Sequence, residues 1–194
     1  MTFSLCPLSA CHQTDGGYLG ADFEAFFSAV VSGAAGIYVG MLVEDAGIST
    51  DLVVRPGQDV SVSGDRSLAQ PPLWGSGGFT VQQRGALSLS FVALGGSAAV
   101  TALAVTGGGS LSLSSMAVHA EIMFYLVTHL DGAGSSVRLT AVAVPEYPAL
   151  GPGTGTLVVA EGDSFASDPP ELLQWLLAAV RAVTLLCVVS LSAN

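Results

Sequence analysis

Asp59, Asp65 and Arg66 lie close together in the chain and are its first group with the makings of chemistry. Two carboxylates beside an arginine can hold a cation, or can act as acid and base on a glycosidic bond. The same three residues in a turn are simply solvated charges. Glu161 and Asp163, on either side of Gly162, carry the same two readings. His119 and His129, with Glu121 and Asp131 nearby, offer a metal site or an acid–base pair, or two ordinary surface imidazoles. Cys6, Cys11 and His12 fall short of the roughly four ligands a zinc site needs. With Cys187 the cysteines number 3, so at least one thiol is unpaired, and the redox compartment stays open. Thr106-Gly107-Gly108-Gly109 is followed by no lysine, which a phosphate loop would need. Trp74, in PPLWGSGG, presents a ring that could stack on a ligand or fold back over the body of the protein. From these residues we assign no catalytic group, no metal and no cofactor. Trp74, Asp59, Asp65 and Arg66 are the candidate ligand contacts.

The charge balance limits the partners. Acidic residues number 15 against 5 basic ones, for a net charge of −10. All five bases are arginine, and the chain has no lysine. Nucleic-acid affinity rests on basic side chains that displace counterions, so nucleic acid is excluded as a partner. Charged residues make up only 10% and apolar residues 51%. That is the opposite of the disordered balance. The acids are scattered, and their net charge keeps an apolar-rich chain dispersed.

The elements that must position these residues show in the hydrophobic spacing. In ADFEAFFSAVVSG, Phe23, Phe26, Phe27 and Val30 fall on one helical face. Asp22 suits the N-cap and Gly33 the stop, which predicts a helix over 22–32. From Leu52 onward the period becomes two. Leu52/Val54 lead to Val60/Val62, Phe79/Val81 to Leu87/Leu89, and Leu103/Val105 to Leu111/Leu113. Each time the first apolar position after the turn comes six positions after the last one before it. Val92/Leu94, Met116/Val118 and Val142/Val144 supply further pairs, and Val127 and Leu130 are candidates for one missing strand. The phrase recurs at Val60, Leu87, Leu111 and Val137, an interval within the roughly 20–50 residues typical of solenoids. Strand alternation then sends these four inward as one stack and places Ser61, Ser88, Ser112 and Arg138 in an outer row. A further strand is expected in GTLVVAEGDSF. Residues 1–21 are expected to be loose, and 22–167 to form the solenoid of four or five coils, with the helix covering its open first edge.

The C-terminal segment 168–194 reads differently. Asp168-Pro169-Pro170-Glu171 is a helix start, and 172–192 is apolar for about the length of a bilayer span. Gln174 and Arg181 interrupt it. Both a buried helix covering the solenoid and a membrane contact through 172–192 stand open. The N-terminus lacks the basic start and unbroken apolar core of a signal peptide.

The helix, then VEDAGISTDLVVRPGQDVSVSG, then coils bearing GxLSLS phrases resemble the pectin-lyase-like superfamily of right-handed β-helices. The likeness spans roughly residues 22–165 and is closest to its repetitive, non-catalytic members. It implies an all-β chain folded as a right-handed parallel β-helix with an N-terminal capping helix and a C-terminal apolar helix. It also implies a surface or extracellular setting. The superfamily's lyases use acidic calcium ligands with a basic residue, and its hydrolases use clustered aspartates. Neither set is visible here. The expected function is therefore a structural or interaction module binding a polysaccharide or a protein. A polysaccharide lyase or hydrolase and a membrane-tethered module are the alternatives.

Overall fold

The computed structural model describes residues 2–5, 12–15, 26, 28–42, 44–66, 70–75, 77–95, 103–119, 122, 130–144, 155–159, 164–165 and 184–187. Within them the chain is a parallel β-solenoid of about four turns, each with three sides. The first sheet stacks β3 (Gly36–Leu42), β6 (Gln58–Gly64), β9 (Ala86–Ser90), and the leading halves of β12 (Ser110–Val118) and β14 (Ser136–Val144). It continues through β15 (Thr156–Val159) to β17 (Thr184–Cys187). The second side stacks β4 (Ala46–Ile48), β7 (Pro72–Gly75), β10 (Ala93–Leu94), the trailing halves of β12 and β14, and β16 (Ser164–Phe165). The third side holds β5 (Leu52–Val54), β8 (Phe79–Val81), β11 (Leu103–Thr106) and β13 (Leu130–Asp131).

Alternation does the sorting. Val60, Leu87, Leu111 and Val137 are in register and fully or almost fully buried, so the stack expected from sequence is present. Val62, Leu89, Leu113 and Leu139 form a second stack beside it. Ser61, Ser88, Ser112 and Arg138 form the outward row between them. The interior closes with Leu52, Phe79, Leu103 and their neighbours from the third side, and Leu73, Val92, Met116 and Val142 from the second. Solenoid pairing begins one coil earlier than the repeated phrase suggests. β3 pairs with β6 along its whole length and adds Tyr38 and Leu42 to the interior.

Two of each coil's three corners repeat a backbone geometry. Between the third and first sides, Arg55–Gln58, Gln82–Gly85 and Thr106–Gly109 each close with a hydrogen bond from the last N–H to the first carbonyl. Both central residues are left-handed in the second turn (Gln83 φ 28°, Arg84 φ 65°) and in the third (Gly107 φ 60°, Gly108 φ 87°). That handedness matches a type I′ turn and favours glycine. In the fourth coil the same corner carries one extra residue, Asp131 to Ser135. The Ser135 hydroxyl, 1% exposed, donates to the Asp131 carbonyl at 2.6 Å and accepts from Gly108 N–H at 2.9 Å. Ser136 nonetheless pairs with Ser110, so the register is recovered within the turn. Between the first and second sides, single left-handed residues bend the chain at Phe91, Ser115 and Ala141.

Phe26 and residues 28–32 are helical, inside the expected 22–32, and Phe26 and Val30 belong to the buried cluster. Gln58, 1% exposed, fastens this helix to the coils. Its side-chain amide donates to the carbonyl of Val30 in the last helical turn and to those of Gly33 and Ala34 just beyond it. Its carbonyl accepts from Arg55 N–H at 2.8 Å. Phe23 and Phe27 lie outside the described residues.

Two segments differ from expectation. Within 1–21, expected to be loose, β1 (Thr2–Leu5) and β2 (His12–Asp15) pair as an antiparallel ribbon. At the other end Thr184–Cys187 is not helical. It is strand β17, parallel to β15, with Leu185 opposite Leu157. The physical reason is that an unbroken apolar run satisfies helix and strand periods equally, so spacing could not separate them. The rest of 168–194, Arg181 included, lies outside the described residues. Among the described residues no helix is long and apolar enough to cross a membrane.

Two substitutions test this account. Leu111→Asp puts a carboxylate in the middle of the interior stack and removes cooperative unfolding in a urea titration, whereas Ser112→Lys, one residue on and outward, keeps it. Gln58→Leu removes the side-chain hydrogen bonds that join the helix end to the coils and lowers unfolding free energy by about 1–3 kcal/mol. An unchanged denaturation midpoint for Gln58→Leu would remove it from this role.

Candidate functional site

The four candidate contacts from sequence separate in the structure. Asp65 and Arg66 line one cleft, with Met41, Ser63, Gly64, Ser90 and Phe91, enclosing about 390 Å³. Asp59 is not part of it. It sits exposed at the opposite end of β6, opposite Ile37 and Ala86. Six residues of strand put it roughly 20 Å from Asp65. Proximity in sequence misled here because a strand is extended. Trp74 is in β7 on the second side, opposite Gly47. Its side chain lies outside the described residues.

The cleft follows from the corner geometry. Met41, Ser63 and Ser90 are the third outward positions of β3, β6 and β9, and they pair in register across the strands. They make a floor that spans three coils. At this corner coil two carries extra residues between Gly64 and Pro72, and the described residues Asp65 and Arg66 at their start form the wall. Asp65 N–H donates to the Leu42 carbonyl at 2.9 Å, which ties the start of the wall to coil one. Gln70 reaches across coil three, and its side-chain amide donates to the Ser115 carbonyl at 3.1 Å. Between them the Arg66 guanidinium lies over the Phe91 ring, 4.3 Å from its centre. A cation on an aromatic face contributes about 0.5–1 kcal/mol where it is exposed. The contact holds the Arg66 side chain in a defined place.

Gly64 lets the wall approach. A β-carbon on Gly64 would collide with the Phe91 carbonyl and crowd the Pro71 ring. Phe91 is itself left-handed at φ 55°, a conformation rarely adopted by a bulky residue. The sequence held one trace of this. The LSF of coil three places a large aromatic where the next two coils have Ser115 and Ala141.

Chemically the cleft offers hydroxyls from Ser63 and Ser90, one carboxylate, one guanidinium and an apolar edge from Met41 and Phe91. That is a set for holding a polyhydroxylated ligand. The floor continues beyond it as a face of hydroxyls. Ser63, Ser90, Ser114 and Thr140 form one column in register, and Ser61, Ser88 and Ser112 form the next. Ser110, Ser136 and Thr156 form a third. Among the described residues no group of three or more His, Cys, Asp or Glu could hold a metal ion. His119 follows β12 and is exposed, and Asp131 belongs to the corner turn, where its carboxylate accepts from Gly132 N–H at 2.7 Å. Glu121, His129, Glu161, Asp163, Cys6 and Cys11 lie outside the described residues.

The wall's dependence on Gly64 gives a direct test. Gly64→Ala forces the corner apart and costs about 1–3 kcal/mol, the range for overpacking a filled site. Thermal unfolding of the variant should show that loss, and a wild-type melting curve would mean the wall is not held as described.

Compared with protein-family models, with curated proteins and with solved structures, the chain finds no match, so its function is read from this geometry.

Proposed function

We propose that this protein is a non-catalytic binding module, a right-handed β-helix of the pectin-lyase-like kind whose first sheet binds an extended polysaccharide. The observation that carries the reading is the in-register hydroxyl face running into the Arg66 cleft. Strands about 4.8 Å apart repeat the same side chain at each coil. A linear glycan, itself a repeat of hydroxyl-bearing rings, meets the same groups as it advances from coil to coil. Serine both donates and accepts, as sugar hydroxyls do. Arg66, held on Phe91, adds a donor fork at one end. In this reading the helix containing Phe26 and Val30 covers the first coil and keeps its strand edge from pairing with other chains.

A protein partner is the second reading. Ile37 and Val39, on the outward side of β3, are 42% and 45% exposed, where the following coils carry Asp59 and Ser61. An apolar pair of this kind suits a protein surface better than a sugar. Membrane tethering through 172–192 rests on that stretch's apolar sequence, and the strand at 184–187 leaves less of it available for a spanning helix.

Screening the full chain against a panel of polysaccharides, with and without calcium, tests the proposal. Arg66→Ala should weaken the binding found there by about ten- to a hundredfold, the effect of losing roughly 1.5–3 kcal/mol of charged hydrogen bonding. New reducing ends or unsaturated products in the same mixtures would replace binding with a lyase or hydrolase activity. Absence of binding to every glycan, with a folded protein, would move the reading to a protein partner.

A further inference from the structure

The corner of the fourth coil differs from the three before it in its first residue as well as in its length. Its counterparts are Arg55, Gln82 and Thr106, none of which carries a carboxyl group. Here the position is Asp131, and Gly132 follows it. Asp131 is exposed, and its carboxylate accepts a hydrogen bond from the Gly132 N–H at 2.7 Å. The carboxyl carbon is one bond beyond that oxygen. Reacting atoms held within about 3–3.5 Å of each other are placed for attack. Gly132 brings no side chain to obstruct the approach. The main chain around the pair is fixed. The Asp131 carbonyl accepts from Gly107 N–H at 3.2 Å and from the Ser135 hydroxyl at 2.6 Å. Gly132 lies so close to Gly107 that a β-carbon on it would collide with the Gly107 nitrogen. We propose that Asp131 is a site of spontaneous modification, where the corner converts aspartate to isoaspartate through a cyclic imide.

The reaction needs no partner but water. The Gly132 nitrogen attacks the carboxyl carbon of Asp131 in its acid form. A C–N bond forms, the C–OH bond breaks, and the nitrogen's proton leaves with the hydroxyl as water. The product is a succinimide ring. Water then adds to one of its two carbonyls and opens it. Opening at the main-chain carbonyl leaves the chain running through Cγ, with the same atoms as before. The carboxylate form has no good leaving group, so the reaction is faster in mildly acidic than in alkaline solution. The exposure of Asp131 admits the water. The consequence falls on the stacking of coils. One methylene enters the main chain, and the carbonyl that held Gly107 and Ser135 becomes a free carboxylate. Ser135 recovers the register before β14, so modification loosens β14 from β12. The inference concerns this corner alone and stands whatever the first sheet binds.

The test is incubation of the full, folded chain at mildly acidic and at mildly alkaline pH. Isoaspartate is counted by enzymatic methyl transfer from S-adenosylmethionine and located by electron-transfer fragmentation of peptides. We expect it to accumulate at Asp131, faster at the acidic pH, and faster in the folded chain than in one unfolded by guanidinium. The modified fraction should melt at a lower temperature than the unmodified. Asp131→Glu, whose imide would need a larger ring, should lose the product at this position. Asp15 also precedes a glycine, Gly16, and serves as the internal comparison. A folded chain that stays unmodified at Asp131 while Asp15 reacts overturns the proposal. So does a rate at Asp131 no higher in the folded chain than in the unfolded one, because the corner would then contribute nothing.

Discussion

Parallel pairing of successive coils, strand on strand without slippage, is the constraint on which the rest of this molecule depends. A one-residue slip would turn every inward leucine and valine to solvent, because strand side chains alternate. The burial of Val60, Leu87, Leu111 and Val137 in one stack therefore both requires the register and enforces it. Each such side chain, fully buried, contributes about 1.5–3 kcal/mol of hydrophobic free energy. The outward rows inherit their regularity from the interior. Ser88 faces its neighbours at fixed spacing because Leu87 and Leu89 on either side are locked.

The corners meet the same constraint with different chemistry. The turn into the first sheet is tight and hydrogen-bonded, and its left-handed residues set the choice of glycine at Gly107 and Gly108. The bend out of the first sheet needs only one left-handed residue, and coil two departs from it by inserting a wall. That departure makes the cleft. A solenoid without it would present a uniform face with no end to the binding row. Gly64 and the Arg66–Phe91 contact keep the wall close to the floor.

Much of this was legible in the sequence, for physical reasons. Periodicity of two with a constant turn length identifies interior positions directly, so the inward pairs, the serine row and the solenoid followed from spacing. The cleft was half legible. Asp65 and Arg66 stand out as charges in a chain that has few, but Phe91 and Met41 are apolar and gave no such signal. Asp59 was grouped with them because nearness along the chain was taken for nearness in space, which an extended strand does not allow. β3 escaped because Gly36–Leu42 carries glycines and outward apolar residues where later coils have serine. β17 escaped because a run of apolar residues has no period to read.

The fourth coil's corner holds one residue more than the three before it, and Ser135 absorbs it before the next strand begins. The solenoid therefore has no memory of length. An error in the number of residues at one corner is corrected there and is not transmitted to the coils beyond. Such a chain can gain or lose residues at its corners, or a whole coil by duplication, while the pattern on its face stays in phase. The length of that face is free to vary in evolution independently of its chemistry.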